Sequence, residues 1–496
     1  MLDALPPAGV PAEQVLAELK ALRERDLPTH GGRLFAYVYD SGLSGVDDLA
    51  ASAYALAAHV NGLDPTAFPS LLVLENSLVG AAAALLSGGP DVVGSVTSGG
   101  SESLILAVKA ARDSRPDIAN PRLVLPGSAH PAFVKAASYL RLGLDVVPVD
   151  RVTLRPSATD VAAAIGPDTV LVACSAPSYA HGVVDPVAPI AAAAAERGVR
   201  CHVDACFGGW TLPYLRRLGV DVPPFDLSVP GVTSISVDLH KYAYCPKGVS
   251  VLLFRDAAAR EPQYFAYADW PGYPMVNSVV ASTRSGGPIA AAWATLRHIG
   301  DDGYLELAAR TLESARAIAT AVSTVGGLRL LGDLGESTVV SFTSDDQMLD
   351  IYVLADELAA RGWHAQPQPP YADLPATIHL TVTAAVAPLV GEFATALGAA
   401  AEAAVAHGPP RIPDDVLAMV ELLDESPEAL TPDIVIRLAA SLGLDGGTPP
   451  GKVAAVNTLL AAATPRLRER LLIEFVSLLQ RPSWPAPGPG ASPHAS

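Results

Sequence analysis

Between about residues 70 and 255, short apolar runs alternate with stretches whose apolar residues recur at helical spacing. Val92–Thr97, Arg122–Leu125, Val146–Val149, Val170–Ser175, Val199–Ala205, Thr233–Val237 and Val249–Phe254 read as strands. After the first of them, Leu104, Ile105, Val108 and Ala111 mark one face of a helix. Most of the strand runs are β-branched and apolar throughout, not alternating. Strands covered on both faces of a mainly parallel sheet have that composition. The alternation of strand and helix predicts an α/β fold with a doubly wound sheet.

The pattern changes after residue 300. A long helical stretch from Tyr304 to about Val325 leads to strands near Leu328–Leu331, Thr338–Thr343 and Thr377–Val382, with one helix between the last two. This predicts a smaller α+β domain. Pro409-Pro-Arg-Ile-Pro413 marks a boundary, and beyond it Leu467, Leu471 and Phe475 recur at i, i+4 and i+8, a helical appendix. The expected organisation is an N-terminal helical segment (1–60), a large domain (61–300), a small C-terminal domain (301–408), the appendix (409–480) and a Pro/Gly/Ser-rich tail (481–496) expected to be disordered.

Composition narrows the class. The chain has 496 residues, half of them hydrophobic and 17% charged, which describes a well-buried globular protein of more than one domain. A formal net charge of -18 argues against nucleic acid or an anionic membrane as partner. Four cysteines fit reduced thiols in a cytoplasmic protein. Cys201-His202-Val-Asp204-Ala-Cys206 invites a metal reading, but no second ligand cluster follows, so no metal is expected. The N-terminus has no secretory pattern, and charge, Gly or Pro interrupts every apolar stretch before bilayer length.

Four segments carry candidate chemistry. Lys241 follows the strand Thr233–Val237, and a lysine at a strand end inside a fold can be desolvated toward nucleophilic range. Asp204 ends a hydrophobic strand, where a carboxylate needs a cation or hydrogen-bond donor. A protonated pyridine nitrogen is such a partner; a helix cap or an ion pair is the plainer use. Thr97-Ser-Gly-Gly-Ser101-Glu102 lies between a strand and a helix, so its backbone N–H groups can hold an anion; it is neither a Walker loop nor a dinucleotide fingerprint. His130, in a turn before a helix, can stack on an aromatic ring.

The segments Val96–Ser103, Ser128–Phe133, Ala173–Pro177, His181–Pro186, His202–Cys206, Gly231–Tyr242, Pro246–Ser250 and Ser285–Ala294 together resemble the sphingosine-1-phosphate lyase family. That family lies within the pyridoxal-phosphate-dependent decarboxylase superfamily of fold type I. The resemblance runs in order from about residue 30 to 390. It implies pyridoxal 5'-phosphate as cofactor, Lys241 as Schiff-base lysine, Asp204 at the pyridine nitrogen, and His130 and Ala205 on the two ring faces. Gly99, Gly100 and Ser101 hold the phosphate with His240, and Thr283 matches a family serine that reaches a phosphate across a homodimer interface. Tyr179 matches a tyrosine near the reacting carbon. In the substrate pocket, Tyr39, Asn61 and Lys247 match, but Asp64 replaces a phosphate-binding histidine.

Two activities remain open on this reading. One is a retro-aldol lyase that splits a 2-amino-3-hydroxy substrate, phosphorylated or not, into an aldehyde and an amine. The other is an amino-acid decarboxylase, with Asp64 contacting a cationic or polar side chain. A carboxylate beside a phosphate dianion is repulsive, so Asp64 selects a different group, pairs with Lys247, or points away while the remaining residues hold phosphate.

Overall fold

The computed structural model describes residues 5–332, 337–441 and 452–480. The chain separates into two compact units: Thr29–Ala406, and Met1–Pro28 together with His407–Ser496.

The larger unit is built on seven strands: β1 Val93–Thr97, β2 Arg122–Pro126, β3 Gly143–Val147, β4 Thr169–Ser175, β5 Arg200–Asp204, β6 Val232–Asp238 and β7 Ser250–Phe254. Their order across the sheet is β1-β7-β6-β5-β4-β2-β3. The pairs from β6 to β3 are parallel, whereas β7 is antiparallel to both its neighbours. β1 therefore runs in the same direction as β6, and the carboxyl ends of β1, β2, β4, β5 and β6 open along one edge. In α/β sheets that edge is where ligands bind. β4 and β7 are buried throughout their length, as their unbroken apolar runs require.

The expected strands coincide with observed ones within a few residues, except that β3 begins at Gly143 rather than Val146. β3 is an edge strand with its first four residues partly or wholly exposed, so its apolar positions mark only its end. Arg122 and Asp145 pair across β2 and β3 at 2.6 Å.

Further along, a two-stranded hairpin, β8 Phe265–Tyr267 and β9 Met275–Asn277, was not legible in the hydrophobic pattern. The helix expected from Tyr304 starts earlier and spans Gly287–Thr324, with a break at Gly300, whose φ of 66° lies in the left-handed region. A four-stranded antiparallel sheet follows, formed by β10 Leu328–Leu331, β11 Val339–Ser344, β12 Gln366–Gln368 and β13 Thr377–Thr381 in the order β10-β11-β13-β12. Asp350 caps the helix Ile351–Ala360 by accepting from the N–H groups of Tyr352 and Val353, both at 2.9 Å. By length and composition alone, Ala384–His407 is long and apolar enough to cross a membrane, a property it shares with core helices; Phe393, Leu397, Ala400 and Ala404 on it are buried.

The second unit is helical. Asp414–Glu425, Pro432–Ser441, Ala454–Ala462 and Pro465–Leu479 pack around Val416, Val420, Leu438, Leu459, Leu467 and Leu471. Leu467 and Leu471 are the positions whose spacing predicted the last helix, whereas Phe475 is exposed. The arginines of that helix are engaged internally. Arg468 donates to the Leu460 carbonyl at 2.7 Å, Arg466 pairs with Glu428, and Arg470 pairs with Glu474 at 3.5 Å. The tail expected to be disordered lies outside the described residues.

Candidate active site

The strand ends on the open edge deliver their residues to a cavity of about 360 Å³. β1 leads into Ser98–Ser101, β2 into His130, β4 into Tyr179, β5 ends on Asp204, and β6 ends on Asp238, three residues before Lys241. Pairing sets them level: Ser175 lies opposite Asp204, Asp204 opposite Ser236, and both Asp238 and Thr97 opposite Ser250. Residues more than 130 positions apart thus converge because parallel strands bring their carboxyl ends to one line.

The helix Gly100–Asp113 begins at the cavity with no side chain capping its N-terminus. Its first-turn N–H groups and its dipole suit an anion. Gly100 is required by space: a Cβ there would lie 2.9 Å from both Asp238 Oδ2 and Cys206 Sγ. Glu102 fixes the preceding turn by accepting from the backbone N–H and the hydroxyl of Ser98, at 2.6 and 2.7 Å. Its other oxygen accepts from the Val280 N–H at 2.8 Å.

His130 Nδ1 accepts from the Ala132 N–H at 3.2 Å, and burial lowers its pKa, so the ring is neutral. A neutral imidazole at the cavity wall suits stacking on an aromatic ring. Asp204 is 8% exposed and accepts from the Cys206 N–H at 3.1 Å through Oδ1. Behind it, His202 bridges the hydroxyls of Ser234 and Ser236 at 2.8 and 3.2 Å. Burial pushes the His202 pKa down to about 4, so this backing is uncharged. His240 Nδ1 donates to the Val249 carbonyl at 2.9 Å, leaving Nε2 as its titrating atom.

These features fit pyridoxal phosphate. An uncapped helix start and glycines can take its phosphate, a flat neutral imidazole its ring face, and a nearly buried carboxylate its ring nitrogen. An amine, Lys241 Nζ, can take its aldehyde. Ala205 departs from the expectation: it is completely buried and does not line the cavity, which Cys206 lines instead.

Tyr179 is clasped by residues that the sequence reading missed. Its hydroxyl donates to Gln366 Oε1 at 2.7 Å, its ring stacks on His379 with centroids 4.4 Å apart, and Phe207 meets it edge-on at 6.0 Å. Gln366 comes from β12, a polar Gln-Pro-Gln edge strand without hydrophobic signal. Tyr179 also borders an adjoining, mainly apolar cavity of about 310 Å³ lined by Tyr371, Leu374 and Pro375.

The expected substrate residues do not gather in one chain. Tyr39 packs on Tyr242 with ring centroids 5.1 Å apart, and Lys247 Nζ lies 5.2 Å over the Tyr39 ring and 3.5 Å from the His240 carbonyl. Asn61 and Asp64 lie elsewhere. Asn61 Oδ1 accepts from the Leu63 N–H at 3.0 Å. Asp64 borders a separate cleft of about 750 Å³ with Glu75, Arg260, Tyr273 and Arg284. Its Oδ1 accepts from Thr66, 2.8 Å from the N–H and 2.6 Å from the hydroxyl, and those bonds lower its pKa. Within one chain, Asp64 and Lys247 therefore have separate partners. Thr283 is exposed and does not line the cofactor cavity.

A model of the pyridoxal-dependent decarboxylase conserved domain matches residues 28–343, and one of the C-terminal HTH domain of pyridoxal-dependent enzymes matches residues 414–478. A sphingosine-1-phosphate lyase of Dictyostelium discoideum is 37% identical over 389 residues, 77% of this chain and 70% of that protein. The solved structure of a Burkholderia pseudomallei sphingosine-1-phosphate lyase is 37% identical, with a TM-score of 0.76 over 82% of this chain and 93% of that one. A Lactobacillus brevis glutamate decarboxylase, at 21% identity and a TM-score of 0.71 over 83% of this chain and 96% of that one, shares the fold.

Proposed function

The chain belongs to the sphingosine-1-phosphate lyase family of pyridoxal-dependent decarboxylases, and from that premise we propose that it cleaves the Cα–Cβ bond of a phosphorylated 2-amino-3-hydroxy substrate, releasing an aldehyde and an amine. The observation that carries the reading is the convergence of Lys241, Asp204, His130 and the Gly99–Ser101 turn on one cavity.

In this reading those residues hold pyridoxal phosphate, with His240 beside its phosphate. When bound, the cofactor supplies an aldehyde for Lys241 and a ring that takes up the electron pair left on the substrate's α-carbon. Asp204 keeps a positive charge on the ring side, which that uptake of electrons needs. His130 would stack on one face of that ring. Tyr179 holds the substrate's 3-hydroxyl. Burial raises the Tyr179 pKa, so it stays a phenol and orients the hydroxyl instead of standing as a phenolate. Lys247 and Tyr39, packed against each other, are the residues this reading assigns to a substrate phosphate, and burial followed by repulsion from Lys241 brings Lys247 down to about 8.

Tyr179→Phe is expected to lower kcat about a hundredfold, the cost of misaligning a reacting group, with KM changed little. Steady-state kinetics check this, and an unchanged kcat would remove Tyr179 from the mechanism.

We further propose that the active site is shared in a homodimer. Support comes from the β8–β9 hairpin, which exposes Phe265, Tyr267, Trp270, Tyr273 and Val276 in one short segment. Exposed aromatic surface of this density is unusual for a free monomer. Thr283, Asn61 and Asp64 stand away from their own chain's cofactor cavity, consistent with a role at the partner's. The acidic chain and the internally engaged arginines of the last helix support a protein that does not use its helical unit on nucleic acid.

The decisive assay supplies a phosphorylated 2-amino-3-hydroxy compound and, separately, a panel of amino acids. Aldehyde release from the first supports the lyase. CO₂ release from an amino acid, without aldehyde from the first, would instead establish the decarboxylase. That second reading is less supported, because the relatives at 37% identity are sphingosine-1-phosphate lyases while the glutamate decarboxylase structure is 21% identical.

A further inference from the structure

Asp238 is a charged residue that the reading above leaves without a task. It ends β6 and is 2% exposed. The turn Asp238–Lys241 is closed by the Lys241 N–H donating to the Asp238 carbonyl at 3.2 Å, so both side chains reach the same space. Asp238 Oδ2 lies 3.0 Å from Lys241 Nζ and 3.6 Å from His240 Nε2. Its Oδ1 is buried beside the Ser250 hydroxyl. A buried carboxylate is costly without a cation facing it, and Lys241 is that cation. Asp238 also lies against Gly100, where the anion cradle begins.

We propose that Asp238 is the positioning residue of Lys241: its buried carboxylate holds the Lys241 ammonium aimed into the cavity and keeps that nitrogen charged while no carbonyl compound is attached to it. This rests on the cofactor reading of the same cavity. The groups facing Lys241 agree in sign. Burial pulls its pKa down, but Asp238, with Cys206 and Asp204 behind it, outweighs burial and holds it above the ordinary lysine range. Asp238 is correspondingly held low: burial pushes it up, and Lys241 and His240 more than offset that. His130, Tyr179 and Lys247 also face the ammonium, and repulsion from it lowers His130 and Lys247.

The test is reductive methylation of the full-length chain with formaldehyde and cyanoborohydride, before pyridoxal phosphate is added, from neutral to alkaline pH. Only the neutral amine reacts, and peptide mass spectrometry reads each lysine. In the unmutated chain, Lys247, brought to about 8, is expected to react at lower pH than Lys241. In Asp238→Asn, the Lys241 midpoint is expected to fall by more than one unit, about a tenfold faster reaction on the rising limb. A role in folding alone would leave that midpoint where it was. An unmoved midpoint, or Lys241 reacting at or below the pH of Lys247 in the unmutated chain, would overturn the assignment. If Asp238→Asn fails to fold, Asp238→Ser is read in the same way, and a midpoint that stays where it was would overturn the assignment. Pyridoxal phosphate is added to parallel samples that were not methylated. Absence of a visible band in the unmutated protein sinks the cofactor reading and this inference with it; a band with an unmoved midpoint sinks only the role of Asp238.

Discussion

Lys241→Ala is expected to abolish the visible absorbance of the cofactor-loaded protein and to lower turnover at least about a thousandfold, as loss of a nucleophile does elsewhere. Among the described residues, Lys241 carries the only side-chain amine lining the cavity. Lys247 cannot substitute, because its amine is directed to the His240 carbonyl and the Tyr39 ring. The alanine variant also strands Asp238 as an uncompensated buried charge, at a cost of about 3–5 kcal/mol. Lys241→Arg separates the two effects. Arginine keeps the cation beside Asp238 but cannot donate a free amine, so this variant is expected to fold normally and remain colourless. Spectra and product assays on both variants check the prediction. Colour and turnover that persist in either would remove Lys241 from the chemistry.

Asp204→Ala is expected to leave the visible band in place while kcat falls about a hundred- to a thousandfold, the usual cost of deleting one preorganised electrostatic partner. The band depends on Lys241, whereas the uptake of electrons by the ring depends on the charge that Asp204 sustains. Asp204 ends β5 and Lys241 lies three residues past the end of the adjacent β6, so their roles separate cleanly by mutation. The fold should tolerate the change, because the Asp204 side chain accepts only the Cys206 N–H and His202 keeps both its serine partners. Absorbance titration alongside steady-state kinetics provides the check. If the band vanishes with the activity, Asp204 is instead needed to hold the cofactor. If kcat is unchanged, Asp204 has no electronic role.

Both variants concern residues found without coordinates, and the reason is local. Lys241, Asp204, His130 and the Gly99-Gly100 turn each sit at or just past a strand end. A strand end is visible in sequence as an apolar run that stops at Gly, Asp or His. The fold class was legible for the same reason, since β4 and β7 are buried throughout and carry almost unbroken apolar runs. What escaped had no hydrophobic signature. Gln366 lies on a polar edge strand, and β8–β9 turns its aromatic side chains to solvent. Asp238 belongs to a recognisable motif, but nothing in a one-dimensional pattern shows that its buried carboxylate meets Lys241 and His240.

Asp64 shows the same division most sharply. Its identity and its departure from the family histidine are facts of sequence, yet its environment is not. The tertiary structure put it on a turn, accepting hydrogen bonds from Thr66 on the rim of a cleft apart from the cofactor cavity. The sequence by itself determined the alternation of strand and helix, the strand-end chemistry and the family, because burial and backbone sterics act on neighbouring residues. Only the tertiary structure decided which side chains meet: Gln366 with Tyr179, Asp238 with Lys241, and Asp64 with neither substrate-side partner in its own chain. Those meetings join residues far apart in the chain or turn on side-chain geometry, and strand order, register and rotamer set them, none of which hydrophobic patterning encodes.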